Sequence, residues 1–272
     1  MLVGWQTRRE RRLSSLLLCG LIALALASAA CGETTPVGQP SCKSSSACYG
    51  IVYWTPSNTT FSGTPQGVMS KIYMRLLYCD ASCQSENGFT QNFVMLTDAK
   101  LQTWFEVGFR ADGANNGNLY FFSGSNFGGT VAYTNMGSVD VPTQIANFIN
   151  FGVNHVIDLK NSYSPNSVQM IYADPYGGWS TDDFVDNTST FTPGSIEMGE
   201  LVHGTHGESA DGSAWLSDRY TTTSTAFYPD IAMYPNLLTA TSHGQIRQDL
   251  PPAAFWLGYT IDGDAFTANC CK

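Results

Sequence analysis

The chain has 272 residues, 13 Lys and Arg against 22 Asp and Glu, and a formal net charge of −9. That balance excludes nucleic acid as a partner, because binding a phosphate backbone needs a basic face. Hydrophobic residues make up 43% of the chain and charged residues 13%. A sizeable apolar core is therefore expected.

Residues 1–30 read as an export signal. Arg8, Arg9, Arg11 and Arg12 precede an apolar run over 16–27, and Ser28, Ala29 and Ala30 lead into Cys31. A basic start, an apolar centre and a small-residue end are the layout of a cleaved secretory segment, too short to span a membrane once its flanks are considered. Cys31 after small residues resembles a lipoprotein signal, in which that cysteine becomes the lipidated N-terminus. Cleavage after Ala29 or Ala30 with free secretion is the alternative. Membrane association is expected only through such an anchor, and the mature protein is expected outside the cell or at its surface. Removing residues 1–30 takes away four arginines and one glutamate, leaving 9 basic and 21 acidic residues and a net charge of −12.

Residues 31–47, rich in Ser, Thr, Pro and Gly, have the composition of a flexible tether. The remaining chain, 48–272, reads as one domain. Six cysteines stand beyond Cys31: Cys42, Cys48, Cys79, Cys83, Cys270 and Cys271. An even count in an exported chain points to disulfides. Cys79 and Cys83 flank a short turn and can pair locally. Cys270 and Cys271 are adjacent, and are expected to tie back to Cys42 and Cys48. No zinc-finger spacing occurs among them.

Short β-type runs then alternate with turn residues. In order they are YGIVYWT from Tyr49, KIYMRLLY from Lys71, NFVMLT from Asn92, TWFEVGF from Thr103, NLYFFS from Asn118 and TVAYT from Thr130. After these come NHVIDLK from Asn154, VQMIYA from Val168, IEMGELVH from Ile196, AWLSDRY from Ala214 and AFWLGYT from Ala254. Val, Ile, Thr and aromatic residues dominate, and Gly- and Asn-rich turns separate them. The stretch from Pro142 to Phe151 is the one helix candidate. About eleven short strands without helical periodicity predict an all-β, antiparallel sandwich or barrel.

Two strands carry unusual carboxylates. In TWFEVGF, alternation puts Trp104, Glu106 and Gly108 on one face and Phe105, Val107 and Phe109 on the other, which reads as core. Glu is a poor strand residue, rarely buried unpaired, and Gly108 leaves room beside it for a ligand or another backbone. An exposed Glu on a solvated sheet face is the plain alternative. In IEMGELVH, Ile196, Met198, Glu200 and Val202 share one parity, while Glu197, Gly199, Leu201 and His203 share the other. Glu200 sits among apolar residues, and Glu197 follows a turn-like Pro-Gly-Ser. A Glu200 facing Glu106 would share a proton with it and split the work of a water attack between base and acid.

The pattern Phe105-Glu106-Val107-Gly108, followed far downstream by Gly199-Glu200-Leu201-Val202, resembles the glutamic peptidases, closest to the neprosin type. The related eqolisins have Gln at the first place. The resemblance spans about residues 90–220 and implies a concanavalin-like double-sheet β-sandwich of jelly-roll type with its catalytic pair on a concave face. It implies Glu106 and Glu200 as the dyad, cleaving peptide bonds in acid through an activated water and with no cofactor. A polypeptide is then the substrate, and Trp104, Tyr120 and Phe122 are candidate cleft walls, with ordinary sheet packing as their alternative. The pattern departs from neprosin at Phe109, where that family has Trp, and at Met198, where it has Gly; the neprosin propeptide domain is also missing. The chain also resembles exported bacterial sandwich proteins of unassigned function, which lends no activity.

Rival readings are weaker. His203 and His206, three residues apart near Glu200 and Glu208, point to opposite faces of a strand, so no metal is expected there. Asp182, Asp183, Asp186 and Asn187 offer oxygen ligands without the spacing of a known calcium loop, and read as a solvated loop. Glu197 and Glu200 are three apart and fall on opposite strand faces, which weakens a glycosidase pair. A non-catalytic carbohydrate-binding or cell-surface module on the same fold stays open, with a glycan as partner. No Gly-x-Ser-x-Gly elbow occurs in the mature chain.

Overall fold

The computed structural model describes residues 47–57, 59–73, 77–79, 81–85, 88–139, 148–157, 166–174, 179–203, 208–238, 245–247, 256–259 and 266–270. The export signal, residues 31–46 of the tether, Cys31, Cys42 and His206 lie outside the described residues. So do the side chains of Cys48, Cys83 and Cys270, and all of Cys271. Ala47, expected as the last tether residue, already belongs to the first strand.

Sixteen strands are described. They are β1 (Ala47–Trp54), β2 (Gly67–Tyr73), β3 (Leu77–Cys79), β4 (Phe89–Asp98), β5 (Trp104–Asp112), β6 (Leu119–Phe127), β7 (Thr130–Ser138) and β8 (Phe148–Val156). They continue with β9 (Ser167–Ala173), β10 (Ser180–Val185), β11 (Pro193–His203), β12 (Glu208–Thr221), β13 (Asn236–Leu237), β14 (Gln245–Arg247), β15 (Trp256–Tyr259) and β16 (Phe266–Cys270). A five-residue helix, α1 (Ala81–Ser85), follows β3. Sheet A has the order β14-β1-β11-β4-β5-β6-β7. Sheet B has the order β10-β9-β8-β2-β12-β16-β15, and β13 and β3 also pair with β12. The fold is an antiparallel double-sheet β-sandwich.

The alternation that the sequence carries is the alternation that fills the space between the sheets. From sheet A come Val94, Leu96, Phe105, Val107, Phe109, Phe121, Ile196 and Met198; from sheet B come Val68, Ile72, Phe151, Val153, Met170 and Trp215. Phe109 meets Phe151 edge-on at 4.8 Å, and Phe121 stacks on Tyr172 at 4.0 Å, so aromatic pairs join the two layers. Each such buried side chain contributes about 1.5–3 kcal/mol, and paired rings about 0.5–1.5 kcal/mol more. Trp215 also donates its indole N–H to the Phe93 carbonyl at 3.1 Å, which satisfies the one polar atom of a fully buried ring.

Two expectations change. The second half of the helix candidate, from Phe148, is strand: Ile149, Phe151 and Val153 face the core while Asn150, Gly152 and Asn154 face away. A period of two, not 3.6, separates its apolar residues. The stretch around Asp182 and Asp183 is not a loop but β10, paired with β9 at the edge of sheet B. There Asp183 accepts from Ser123 at 2.6 Å and Asp182 from Gln169 at 3.1 Å.

The outer face of sheet B is covered by the chain itself. Asn150 donates to the Pro229 carbonyl at 2.8 Å and the Tyr234 hydroxyl to Asn154 at 2.8 Å. Asn154 and the Phe227 N–H both donate to Gln169 Oε1 at 3.0 Å. Gly152 makes this approach possible, since a Cβ there would lie 3.0 Å from the Tyr234 hydroxyl. At the far edge of sheet A, Gly128 and Gly129 (φ 62° and 77°) close the two-residue hairpin between β6 and β7. Positive φ at both central positions is the turn that matches strand twist.

Candidate active site

The site lies on the face of sheet A that points away from sheet B. In an antiparallel ladder, residues directly opposite share a face. Register therefore defines a row across six strands: Tyr53, Glu197, Met95, Glu106, Gly124 and Tyr133. Glu106 and Glu197 flank Met95. At a strand spacing of about 4.8 Å, their Cα atoms are about 10 Å apart, close enough for two glutamates to lean toward one water. Glu106 is 3% exposed and Glu197 is 2% exposed.

Glu200 stands on the other face. It pairs with Asn92, which pairs with the core residue Phe109, and it shares parity with the core residues Ile196 and Met198. It is fully buried between the sheets. The expected meeting of Glu106 and Glu200 is therefore corrected: the sheet itself separates their side chains, and Glu197 takes the place expected for Glu200. Glu197, although it follows a turn-like Pro-Gly-Ser, is enclosed beneath that face.

Trp104, Tyr120 and Phe122 do share the face of Glu106. Tyr120 and Phe122 form a small apolar cluster with Ile51, Phe93 and Met95, against which Trp104 and Leu201 pack. The space beside Gly108 is not left for a ligand. A Cβ there would fall 1.8 Å from the Asn92 carbonyl oxygen, so the neighbouring backbone of β4 fills it. The glycine that shapes the site is Gly124, where a Cβ would lie 2.9 Å from Glu106 Oε1 and 2.7 Å from the Tyr133 ring.

A polar network surrounds Glu106. Gln91 Nε2 donates to both carboxyl oxygens, at 3.3 and 3.4 Å. Gln91 Oε1 accepts from Arg110 Nη1 at 2.6 Å, and Arg110 Nε pairs with Asp112 Oδ2 at 2.8 Å. Asp112 also accepts from the Tyr120 hydroxyl at 2.6 Å and from the Asn115 N–H at 3.1 Å. The Arg110 guanidinium sits 3.8 Å from the Phe89 ring centroid and 4.5 Å from that of Tyr133. The Tyr133 ring and the Glu106 carboxyl both border Gly124, so they lie side by side on this face. Tyr133 is 43% exposed, and Trp104 lies beside it with ring centroids 6.2 Å apart, so these two rings join the buried carboxylates to solvent.

These surroundings set protonation. Burial pushes the Glu106 carboxyl up to about 7; the Glu197 charge adds to this, while Arg110 and Gln91 pull against it. At Asp112, burial is outweighed by hydrogen bonds from Tyr120 and Arg110, and its carboxyl is held below the ordinary value. The two acids are thus driven apart: Glu106 carries a proton in mild acid where Asp112 does not. Among the described residues, no group of three or more His, Cys, Asp or Glu is placed to hold a metal ion.

No protein-family model matches this chain, and no curated protein matches it by sequence. Solved structures do. Scytalido-glutamic peptidase, determined with a peptide-based transition-state analogue and with a transition-state analogue inhibitor, superposes with a TM-score of 0.52 and 9% identity. The match covers 85% of this chain and 100% of that one. The chain has the glutamic-peptidase sandwich fold. SCP-B, a member of the Eqolisin family of peptidases in complex with the tripeptide Ala-Ile-His, matches over the same shares at 9% identity and a TM-score of 0.47.

Gln91, Arg110, Gly124, Tyr133 and Glu197 are site residues that the sequence reading does not select. One signal is present for Glu197: Ile196 and Met198 have the core parity, so the other parity has to be the site's.

Proposed function

We propose that the protein is a glutamic-peptidase-like hydrolase that cleaves peptide bonds with Glu106 and Glu197. The observation that carries this reading is the placing of two buried carboxylates on one sheet face with a single strand between them. Structural similarity to peptidases solved with transition-state analogues supports a polypeptide substrate.

The chemistry follows from the two environments. In acid, the protonated Glu106 presents an O–H donor where the eqolisin pattern has a glutamine amide. That donor stabilises the oxyanion as a water attacks the carbonyl carbon. Glu197 takes the proton of the attacking water. It then returns that proton to the departing amine as the C–N bond breaks. Activity is expected to fade as pH rises through about 7, where Glu106 loses its proton. Trp104 and Tyr133 supply apolar walls at the solvent edge.

Export, a lipid anchor at Cys31 and disulfides among Cys42, Cys48, Cys79, Cys83, Cys270 and Cys271 belong to the same proposal. They rest on the layout of residues 1–47 and the even cysteine count. Mass spectrometry of the mature protein, with and without reductant, tests all three. Among the described residues no helix is long and apolar enough to cross a membrane.

The central test is digestion of an unfolded protein in acid. Glu197→Gln is expected to lose at least about 10²-fold in rate, the usual worth of a positioned general base. Glu106→Leu is expected to do the same. Glu106→Gln keeps a donor at every pH, so it is expected to stay active and to lose the fall near neutrality. Glu200→Gln is expected to cleave. Wild-type-like cleavage by Glu197→Gln refutes the assignment. Glycan binding by a wild type that cleaves nothing favours a non-catalytic carbohydrate-binding module instead.

A further inference from the structure

Arg110 is donor-only and buried beside the site, yet its charge is already answered by Asp112 at 2.8 Å. It also donates to Gln91, through Nη1 to Oε1 at 2.6 Å. A guanidinium cannot accept a hydrogen bond. The Gln91 carbonyl must therefore face Arg110, and its NH2 must face Glu106. The amide has no freedom to turn over.

We infer that Arg110 is a positioning residue: it fixes the Gln91 amide so that the Glu106 proton points away from Gln91 and into the site. This deepens the peptidase reading and shares its carboxyl group. The steps are geometric. Gln91 Nε2 lies 3.3 and 3.4 Å from the two Glu106 oxygens, so the side of the carboxyl that faces Gln91 is occupied by donated hydrogens. A protonated Glu106 cannot direct its O–H at another donor. The proton is left on the side of Tyr133 and Glu197, where a substrate carbonyl would sit. The charged and titratable groups around Glu106 are Arg110 from its own strand, Glu197 from β11 and Tyr133 from β7.

The frame is anchored at its far end. Asp112 caps the turn at Gly113–Asn115 through the Asn115 N–H, so Arg110 is tied to backbone and not only to another side chain. Phe89 and Tyr133 hold the guanidinium from its flanks. Such support converts a flexible glutamine into a fixed donor, and hydrogen bonds from preorganised groups keep a carboxyl in one orientation.

The test reads Glu106 directly by carboxyl-carbon NMR titration of the full protein, its resonance assigned by loss in Glu106→Gln. Gln91→Met and Arg110→Met are each expected to raise the Glu106 titration midpoint by about one pH unit, since donors and cations favour the ionised form. Arg110→Lys, which still donates to Gln91, is expected to return it toward the wild type. In the unsubstituted protein the Gln91 side-chain amide resonance is expected to move with the Glu106 midpoint, a readout that needs no variant to fold. A folded Gln91→Met that titrates like the wild type, or a Gln91 amide indifferent to Glu106, overturns the inference. In peptide cleavage, Arg110→Met is expected to lower kcat about 10-fold or more with KM little changed. A wild type that cleaves nothing while Gln91 and Glu106 titrate together sinks the peptidase reading and keeps this one.

Discussion

The two outer faces of the sandwich solve the same problem with different chemistry. Sheet B turns Asn150, Asn154 and Gln169 outward; Asn154 and Gln169 bond one another, Tyr234 and the backbone of Phe227, and Asn150 donates to the Pro229 carbonyl while its Oδ1 stays buried without a partner. Sheet A turns Glu106, Glu197, Arg110 and Asp112 outward and buries them beside an apolar cluster. A neutral amide that keeps most of its partners costs less to bury than a carboxylate, which costs several kcal/mol unless it is paired or protonated. The amide face reads as a structural seam. The charged face keeps an expensive arrangement, and perturbed acids of this kind cluster at functional sites.

Four experiments sharpen or break that contrast. The largest expected effect is catalytic: Glu197→Gln is to lose at least about 10²-fold in peptide cleavage, while Asn154→Ala on the other face is to leave the rate of folded protein unchanged. Equal losses from both would erase the distinction.

The second effect is on stability and depends on pH. The Glu106 carboxyl titrates at about 7 in the folded protein against an ordinary 4.5. A raised folded value means the native state holds the proton more tightly. Its contribution is fully present below 4.5 and is lost as pH rises through 7. The loss amounts to up to about 3 kcal/mol, because each tenfold gain in proton affinity on folding is worth about 1.4 kcal/mol. Thermal melts of Glu106→Gln and the wild type are expected to differ more at pH 8 than at pH 4, with the variant gaining in relative stability at the higher pH.

Third, Asn154→Ala is expected to destabilise by about 1–3 kcal/mol, because the Tyr234 hydroxyl loses its acceptor. That cost should be the same at pH 4 and pH 8, since the direct partners of Asn154, Tyr234 and Gln169, are neutral; a pH-dependent cost would show that the Asp182 carboxylate beyond Gln169 takes part. The smallest effect is expected at the solvent edge. Trp104→Ala should raise KM a few-fold and leave kcat nearly unchanged, as removal of an apolar wall does.

Much of this fold is legible in the sequence because strand burial has a period of two, and Phe105, Val107 and Phe109 mark the core plainly. The site is half legible. Glu106 stands out as a carboxylate in mid-strand. Alternation splits Glu197 and Glu200 onto opposite faces correctly, but the apolar company of Glu200 suggests a cleft where the structure has the core itself. Applying to Ile196 and Met198 the rule that makes Phe105 and Val107 core chooses Glu197. Gln91, Arg110, Gly124 and Tyr133 carry no local signal. Arg110 shares the strand and parity of Glu106, but Gln91, Gly124 and Tyr133 meet Glu106 only through strand register, and register depends on pairing partners far apart in the chain. The described part of the helix candidate fails for a related reason: Phe148–Val156 is short, and short apolar runs do not discriminate helix from strand.

The hairpin at Gly128 and Gly129 has a practical consequence. Both glycines have positive φ, so ordinary residues placed there are strained, yet neither has any neighbour within 4 Å of where a side chain would begin. The turn resists substitution but has room for extra length. A tag or fluorophore-bearing loop inserted between the two glycines would sit a few residues from Tyr133 and report on occupancy of the site without touching either glutamate.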